Sequence, residues 1–437
     1  MDDRENWSTR FAFIISTLGF SAGIGNLWRF PYLVGKYGGG IFLLFYLLVV
    51  IVIAIPLFSI EVTLGKATRK DPVGAYKTLA PKSYWYLNGY LNVITMIIIV
   101  GYASPIIGSI FAYIFKTASG VFSEMSPEQT AVYFKAFFSN GTEVILWTLA
   151  TTAILIFILR KGIKRGIETA NKIMMPALLI ILVILIIRAV TLPGAAKGLA
   201  FYLKPDFAKF TWEGALAAIG QSFFAIGVAM AATLVYGSYL PRDSKQIVTS
   251  SAVVCLSSAV IAFMGGLIIF PSIASFSLDP ASGPGLVFIT MPNVFNQMPA
   301  GAFFGTLYYV LFFLAAVTSF IGAYEAVIAW LRDQYNIQRK KGVWITGSGV
   351  MVIAVVSASS VKFFNLADYV VNNFIVILGA ILMSVFVGWV WKIPSFMKEA
   401  GINPNKTEVL WSVLIKYLIP LVMFLLWLSQ LGIIDKK

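Results

Sequence analysis

Three stretches of this 437-residue chain hold residues whose types and spacing could do chemistry. The first runs Gly19-Phe20-Ser21-Ala22-Gly23-Ile24-Gly25-Asn26-Leu27-Trp28-Arg29, where three glycines weaken an apolar helix and Asn26 and Arg29 add polar groups. The second, Gly220-Gln221-Ser222-Phe223-Phe224-Ala225-Ile226-Gly227, again sets small residues and a polar Gln inside an apolar run. The third is Thr318-Ser319 in an otherwise apolar stretch. A helix broken at membrane depth exposes amides and carbonyls, with roughly half a charge at each helix end. Amides suit a carboxylate; carbonyls and hydroxyls suit a small hard cation. Plainer readings exist. Gly19 and Gly23, four apart, could let two helices approach, and a Thr or Ser in a membrane helix commonly bonds back to its own i−4 carbonyl. Neither reading accounts for Asn26 and Arg29, which are costly in lipid and mark an interior or water-lined path.

Other chemistries are excluded by what is missing. With no histidine and one cysteine, Cys255, there is no internal disulfide framework, Cys-rich metal site, His-held haem, HExxH zinc site, Ser-His-Asp triad or histidine proton relay. No nucleophile–base arrangement is present, so an enzyme is not expected. Charged residues make up 12%, against roughly 25% in soluble domains. The net charge of +14 sits in short clusters between hydrophobic runs rather than in one stripe with aromatic platforms, so nucleic acid is not the expected partner.

The elements that must position these residues are membrane helices. Long apolar runs recur near 10–34, 40–65, 84–115, 143–160, 166–189, 213–239, 247–276, 303–331, 343–360, 366–391 and 408–433, which predicts an all-α membrane protein of about eleven spans. Basic clusters alternate along it: Arg4 and Arg10; Lys66, Arg69, Lys70, Lys77 and Lys82; Arg160 to Arg165; Arg242 and Lys245; Arg332 to Lys341; Lys392, Lys398 and Lys406. These hold most of the 33 basic residues, which places the N-terminus in the cytoplasm and, with an odd span number, the C-terminus outside. No cleavable signal peptide is visible. The expected location is the cell membrane, plasma or inner, with lipid as the surrounding partner. External loops near 116–142, 190–212 and 277–302 contain no soluble domain, and the sequon Asn140-Gly141-Thr142 reads as chance.

The two interrupted helices are the first and the sixth spans. Matching breaks at the start of two halves point to an inverted-repeat transporter with its site at the midplane. The expected division is 1–189 for spans 1–5, 190–393 for spans 6–10, and 394–437 for an added eleventh span.

The stretch Gly19 to Tyr32, with Trp7 and Arg10 before it, resembles the first span of the neurotransmitter:sodium symporters, a family that includes the bacterial leucine transporter. The resemblance extends over nearly the whole chain: Gly38-Gly39-Gly40, Pro56, Glu61-Val62-Thr63-Leu64-Gly65, Gln221 to Phe224, Tyr236-Gly237-Ser238-Tyr239 and Ala315 to Asp333. It implies Na⁺-driven uptake of amino acids or related amines by alternating access, in the prokaryotic branch, by a monomer or weak homodimer.

The resemblance also implies sites. One Na⁺ would be held by carbonyls of Gly19, Ala22 and Ala315 and hydroxyls of Thr318 and Ser319. A second would use Ser21, Asn26, Ala225 and Ser257, but Ala225 lacks the usual hydroxyl and Ser257 replaces an Asn. Chloride-independent members carry a carboxylate one turn further on, where this chain has Ile261. Chloride at Tyr46, Gln221 and Ser257 is therefore a further candidate, and the ion number stays open at one or two. Gly23 stands where monoamine transporters carry Asp, which implies a substrate with its own carboxylate. That carboxylate would meet Gly25 and Tyr102, although Ala103 aligns with the family's tyrosine. Phe20, Ser21, Ile24, Ile99, Phe224, Ala225, Gly227, Met230, Ser319 and Ala323 complete a pocket suited to large hydrophobic or aromatic amino acids. Arg29 with Asp368 would gate the outside, and Arg4 with Asp333, over Trp7, the inside. Glu61 is expected to bond the unwound sixth span; Glu325 has no assigned role. Two alternatives stay open: a proton-coupled amino acid transporter of the same fold, and a membrane protein that binds amino acids without transport.

Overall fold

The computed structural model describes residues 4–276 and 285–433. The external loop expected near 277–302 lies partly outside these residues, as does the C-terminal end, 434–437. The described residues are helical, with no named strand among them. Among the described residues nine helices are long and apolar enough to cross a membrane: Gly40–Thr68, Tyr86–Ala118, Gly141–Leu159, Ile163–Val190, Ile247–Ser275, Gly301–Tyr335, Arg339–Ser359, Val361–Ala400 and Thr407–Gln430. The bent pair Arg10–Ser21 and Gly25–Lys36, whose axes differ by 53°, is together long and apolar enough for a tenth.

The first-span break follows from its sequence. Thr9 caps the start, its hydroxyl accepting the Ala12 amide at 3.1 Å. The helix stops at Ala22, where ψ turns to 47°. Side chains would not fit across the break: a Cβ on Gly23 would lie 2.3 Å from Ser319 Oγ, and one on Gly25 would lie 2.6 Å from the Phe224 ring. These glycines are thus required by close approach as well as by flexibility.

The stretch expected to be the sixth span is also divided. Trp212–Ile226, capped by the Thr211 hydroxyl, ends at Gly227 in the left-handed region (φ 67°), and Ala232–Ser238 resumes beyond it. Between them Ala229 and Ala231 also hold positive φ, at 59° and 67°. An alanine pays about 1–2 kcal/mol for that conformation, so the surroundings must hold the segment open. Part of that support is a small-residue seam. A Cβ on Gly65 would lie 1.9 Å from Leu234 O, and one on Gly237 would lie 2.4 Å from Val62 O. The second span and Ala232–Ser238 therefore touch backbone to backbone.

Pro105 does not break the third span, which stays helical from Tyr86 to Ala118. The eighth span, Gly301–Tyr335, packs against Arg10–Ser21 on one side and Ile163–Val190 on another. It thereby carries Thr318 and Ser319 to the first-span break.

Candidate functional site

The break of the first span and the middle of the eighth meet at hydrogen-bond distance. Ser319 Oγ donates to Phe20 O at 2.8 Å and to Gly19 O at 3.3 Å. Thr318 Oγ1 instead bonds back along its own helix, to Leu314 O at 2.9 Å and Ala315 O at 3.1 Å. A hydroxyl that donates keeps its lone pairs, so both oxygens can still accept a cation. Gly19, Ala22, Ala315 and Thr318 are buried. Carbonyls at a helix end and two hydroxyls are all oxygen donors, the type a hard cation takes.

A second polar cluster surrounds Asn26. Its Nδ2 donates to Ser21 O at 3.2 Å and to Ser258 Oγ at 2.7 Å, and Ser258 Oγ donates to Ser21 O at 3.2 Å. Asn26 Oδ1 is buried with no donor. Here the structure corrects the sequence reading: the seventh-span residue in this cluster is Ser258, not Ser257. Successive helix residues point ~100° apart, so a one-residue slip moves Ser257 to a half-buried flank. The position one turn further on becomes Ala262, also apolar, rather than Ile261. Nearby, Gln221 Nε2 donates to Gly25 O at 3.0 Å, while Gln221 Oε1 and the Tyr46 hydroxyl are buried without partners.

Between the two broken helices lies a cavity of about 350 Å³. All twelve residues expected to touch substrate line it: Phe20, Ser21, Ile24, Gly25, Ile99, Tyr102, Phe224, Ala225, Gly227, Met230, Ser319 and Ala323. Sequence reasoning missed Trp28, Phe320 and Phe364, which also line it. It missed Gly322 as well, against which Phe20 packs; a Cβ there would lie 2.7 Å from the ring. Phe20 is thus seated between Gly227 and Gly322, which leaves the cavity free beside it. Tyr102 has partners that the sequence did not indicate. Its hydroxyl donates to Asp368 Oδ1 at 2.9 Å and receives Asn372 Nδ2 at 3.3 Å. The tyrosine, which lines the cavity, is thus bonded to two residues of the tenth span.

The two ends of the molecule differ. At the N-terminal end Arg4 pairs with Asp333, whose carboxylate also receives the Asp71 amide at 2.8 Å and Arg332 at 3.0 Å. Trp7 lies beneath, its indole donating to Tyr236 O at 2.9 Å. At the other end Arg29 lies over the Phe224 ring, 4.9 Å from its centroid. Among the described residues no ion pair joins Arg29 to Asp368; the expected outer pair is not formed in this structure.

Glu61 accepts the Ala229 amide at 2.9 Å, as expected. Glu325 is a bidentate partner of Arg339, at 2.7 and 3.0 Å, and also receives the Tyr239 hydroxyl at 2.5 Å. Arg339 was legible only as one of several loop cations, because nothing in its spacing reveals that it folds back onto the eighth span.

The comparisons with known proteins agree with this geometry. The sodium:neurotransmitter symporter family model matches residues 4–131 and 135–436. The uncharacterized sodium-dependent transporter YhdH of Bacillus subtilis (strain 168) is 32% identical over 443 residues, covering 98% of both chains. The sodium-dependent serotonin transporter of Drosophila melanogaster is 26% identical over 494 residues, covering 99% of this chain and 77% of its own length. The crystal structure of MhsT in complex with L-phenylalanine matches with a TM-score of 0.90 and 30% identity, over 98% of this chain and 100% of MhsT. The family match and the apolar helices define a multi-pass helical membrane transporter rather than an enzyme. The chain belongs to the sodium:neurotransmitter symporter family, and its transport is sodium-dependent.

Proposed function

We propose that this protein is a Na⁺-coupled symporter that takes up large hydrophobic or aromatic amino acids by alternating access. The observation that carries the substrate class is the cavity itself. Its walls at Phe20, Ile24, Ile99, Phe224 and Met230 are apolar, and it is bounded by both unwound backbones. Gly23, where a monoamine-binding acid would stand, is filled to contact by Ser319. The absence of an acid at this position supports a substrate that supplies its own carboxylate. MhsT, similar in fold and sequence, has been crystallised with L-phenylalanine.

The span assignment supports eleven crossings, with Trp212–Ile226 and Ala232–Ser238 as the broken sixth. Spans 1–5 and 6–10 would form the two inverted halves. The basic clusters put the N-terminus, and with it the Arg4–Asp333 closure, in the cytoplasm of a cell-membrane protein. With that end closed and Arg29 unpaired from Asp368, the form described is outward-facing. One Na⁺ would bind at Gly19, Ala22, Ala315, Thr318 and Ser319. The free Asn26 Oδ1, with Ser21 O, Ser258 Oγ and the Ala225 carbonyl, supports a second ion, and Tyr46 with Gln221 supports chloride beside it. Ion binding would fix the first span against the eighth and raise substrate affinity, with the reciprocal effect required by linkage.

A competition panel in proteoliposomes tests this reading. Uptake of labelled phenylalanine should require Na⁺ and be displaced by aromatic and branched-chain amino acids, not by monoamines. Displacement by dopamine but not by tryptophan would contradict the substrate class. Uptake driven by a pH gradient without Na⁺ would favour proton coupling.

A further inference from the structure

Asn171 lies in Ile163–Val190 with no exposed surface. Its Nδ2 donates to Ile167 O, four residues back, at 2.9 Å. That bond fixes the amide: the nitrogen faces its own helix and Oδ1 turns away from it. Oδ1 has no donor partner. It faces the first span, since a Cβ built on Gly19 would lie 2.2 Å from it. The same Cβ would lie 3.2 Å from Thr318 Cβ. Three spans thus converge on one point, and Gly19 and Thr318 are two of the five residues of the ion site proposed above.

A buried amide oxygen without a donor is unfavourable unless something positive faces it. No Lys or Arg takes that role: the cation beside this stretch of the fifth span, Lys172, is paired with Glu168 at 2.6 Å. The neutral amide oxygen matches the donor chemistry of the other five ligands and adds no charge to the site. Asn171 does not line the substrate cavity, so substrate contact does not explain it.

We propose that Asn171 Oδ1 is a further oxygen for the Na⁺ held between the first and eighth spans, and that through it the ion also fastens the fifth span. The proposal rests on the ion-site reading above. Its consequence is that Na⁺ binding closes a three-helix junction rather than a two-helix seam, and that Gly19 must be glycine to admit the Asn171 oxygen.

The test is a Na⁺ titration of purified full-length protein without substrate, read by tryptophan fluorescence and by the Na⁺-induced rise in melting temperature against choline. Asn171→Leu, which keeps the shape and removes the oxygen, should raise the half-saturating Na⁺ concentration by about tenfold. Asn171→Asp, which keeps an oxygen and adds charge, should lower it several-fold. Thr318→Ala with Ser319→Ala should lose the response. If the double variant loses it while a folded Asn171→Leu titrates like the parent, the proposal is overturned and the ion site stands. If the double variant also titrates like the parent, the ion-site reading itself fails. Should Asn171→Leu not fold, an unchanged Na⁺ curve for Asn171→Asp overturns the proposal.

Discussion

The Glu61 carboxylate receives the backbone amide of Ala229 at 2.9 Å, and Ala229 holds a φ of 59°. One acid therefore props open the unwound segment whose Gly227 and Met230 line the cavity. Glu61→Gln keeps an acceptor oxygen and should cost about 1 kcal/mol of stability, whereas Glu61→Ala leaves a buried amide bare and should cost about 1–3 kcal/mol. Melting temperatures in detergent check the order. Equal effects of the two variants would contradict the propping role.

The N-terminal closure should be separable from substrate binding. Arg4→Ala removes the Asp333 pair and loosens the cover formed by Trp7. Ser238, buried beneath it, should then become reachable. The only native cysteine, Cys255, is buried, so background labelling is low. Thiol labelling of Ser238→Cys from the N-terminal side should speed up about fivefold or more when Arg4→Ala is added, the yield expected from weakening the closure by about 1 kcal/mol. No acceleration would mean that the pair does not hold the closure.

Asp71 predicts a pH dependence. Burial pushes its carboxyl up to about 6 from the usual 3.8, with neighbouring Asp333 adding to the shift and bonds from Gln334, Gly74 and Val73 opposing it. The folded protein then binds a proton that the unfolded chain releases near pH 4. The stability this supplies is full below about pH 4 and is lost as pH rises through about 6. Asp71→Asn keeps the helix cap and removes the titration. The melting temperature of the parent, relative to that variant, should fall between pH 4 and pH 7, by the equivalent of up to about 3 kcal/mol. A constant difference across that range would contradict the assignment.

Gly23 predicts an effect on Na⁺ dependence. A Cβ there would lie 2.3 Å from Ser319 Oγ, which bonds Phe20 O. Gly23→Ala should displace that hydroxyl and raise the Na⁺ concentration for half-maximal uptake by about tenfold, with a smaller change in substrate KM. A Na⁺ dependence like that of the parent would show that Ser319 has room to move.

Much of this was legible in the residues, and the exceptions have physical causes. The broken spans announced themselves through Gly19, Gly23, Gly25 and Gly227, because a backbone that leaves the helix needs small residues. The apolar pocket was legible through the family resemblance, which carried residues as distant as Ile99 and Ala323 to one site. Ser258 was misread as Ser257 because in a long apolar helix a one-residue slip alters no pattern and only the ~100° turn per residue separates them. The bond from Tyr102 to Asp368 was not legible, because the two residues lie on spans far apart in the chain. Asn171 gave no signal at all: a single Asn in an apolar helix does not reveal that its oxygen faces Gly19.

The central claim is that Na⁺ bound at Gly19, Ala22, Ala315, Thr318 and Ser319 drives substrate uptake. The direct measurement is Na⁺-gradient-driven uptake of labelled phenylalanine into proteoliposomes by the parent protein and by Thr318→Ala with Ser319→Ala. The account predicts that the double variant, folded and reconstituted to the same density, shows no Na⁺-dependent uptake. Uptake at the parent's rate and Na⁺ dependence would contradict it.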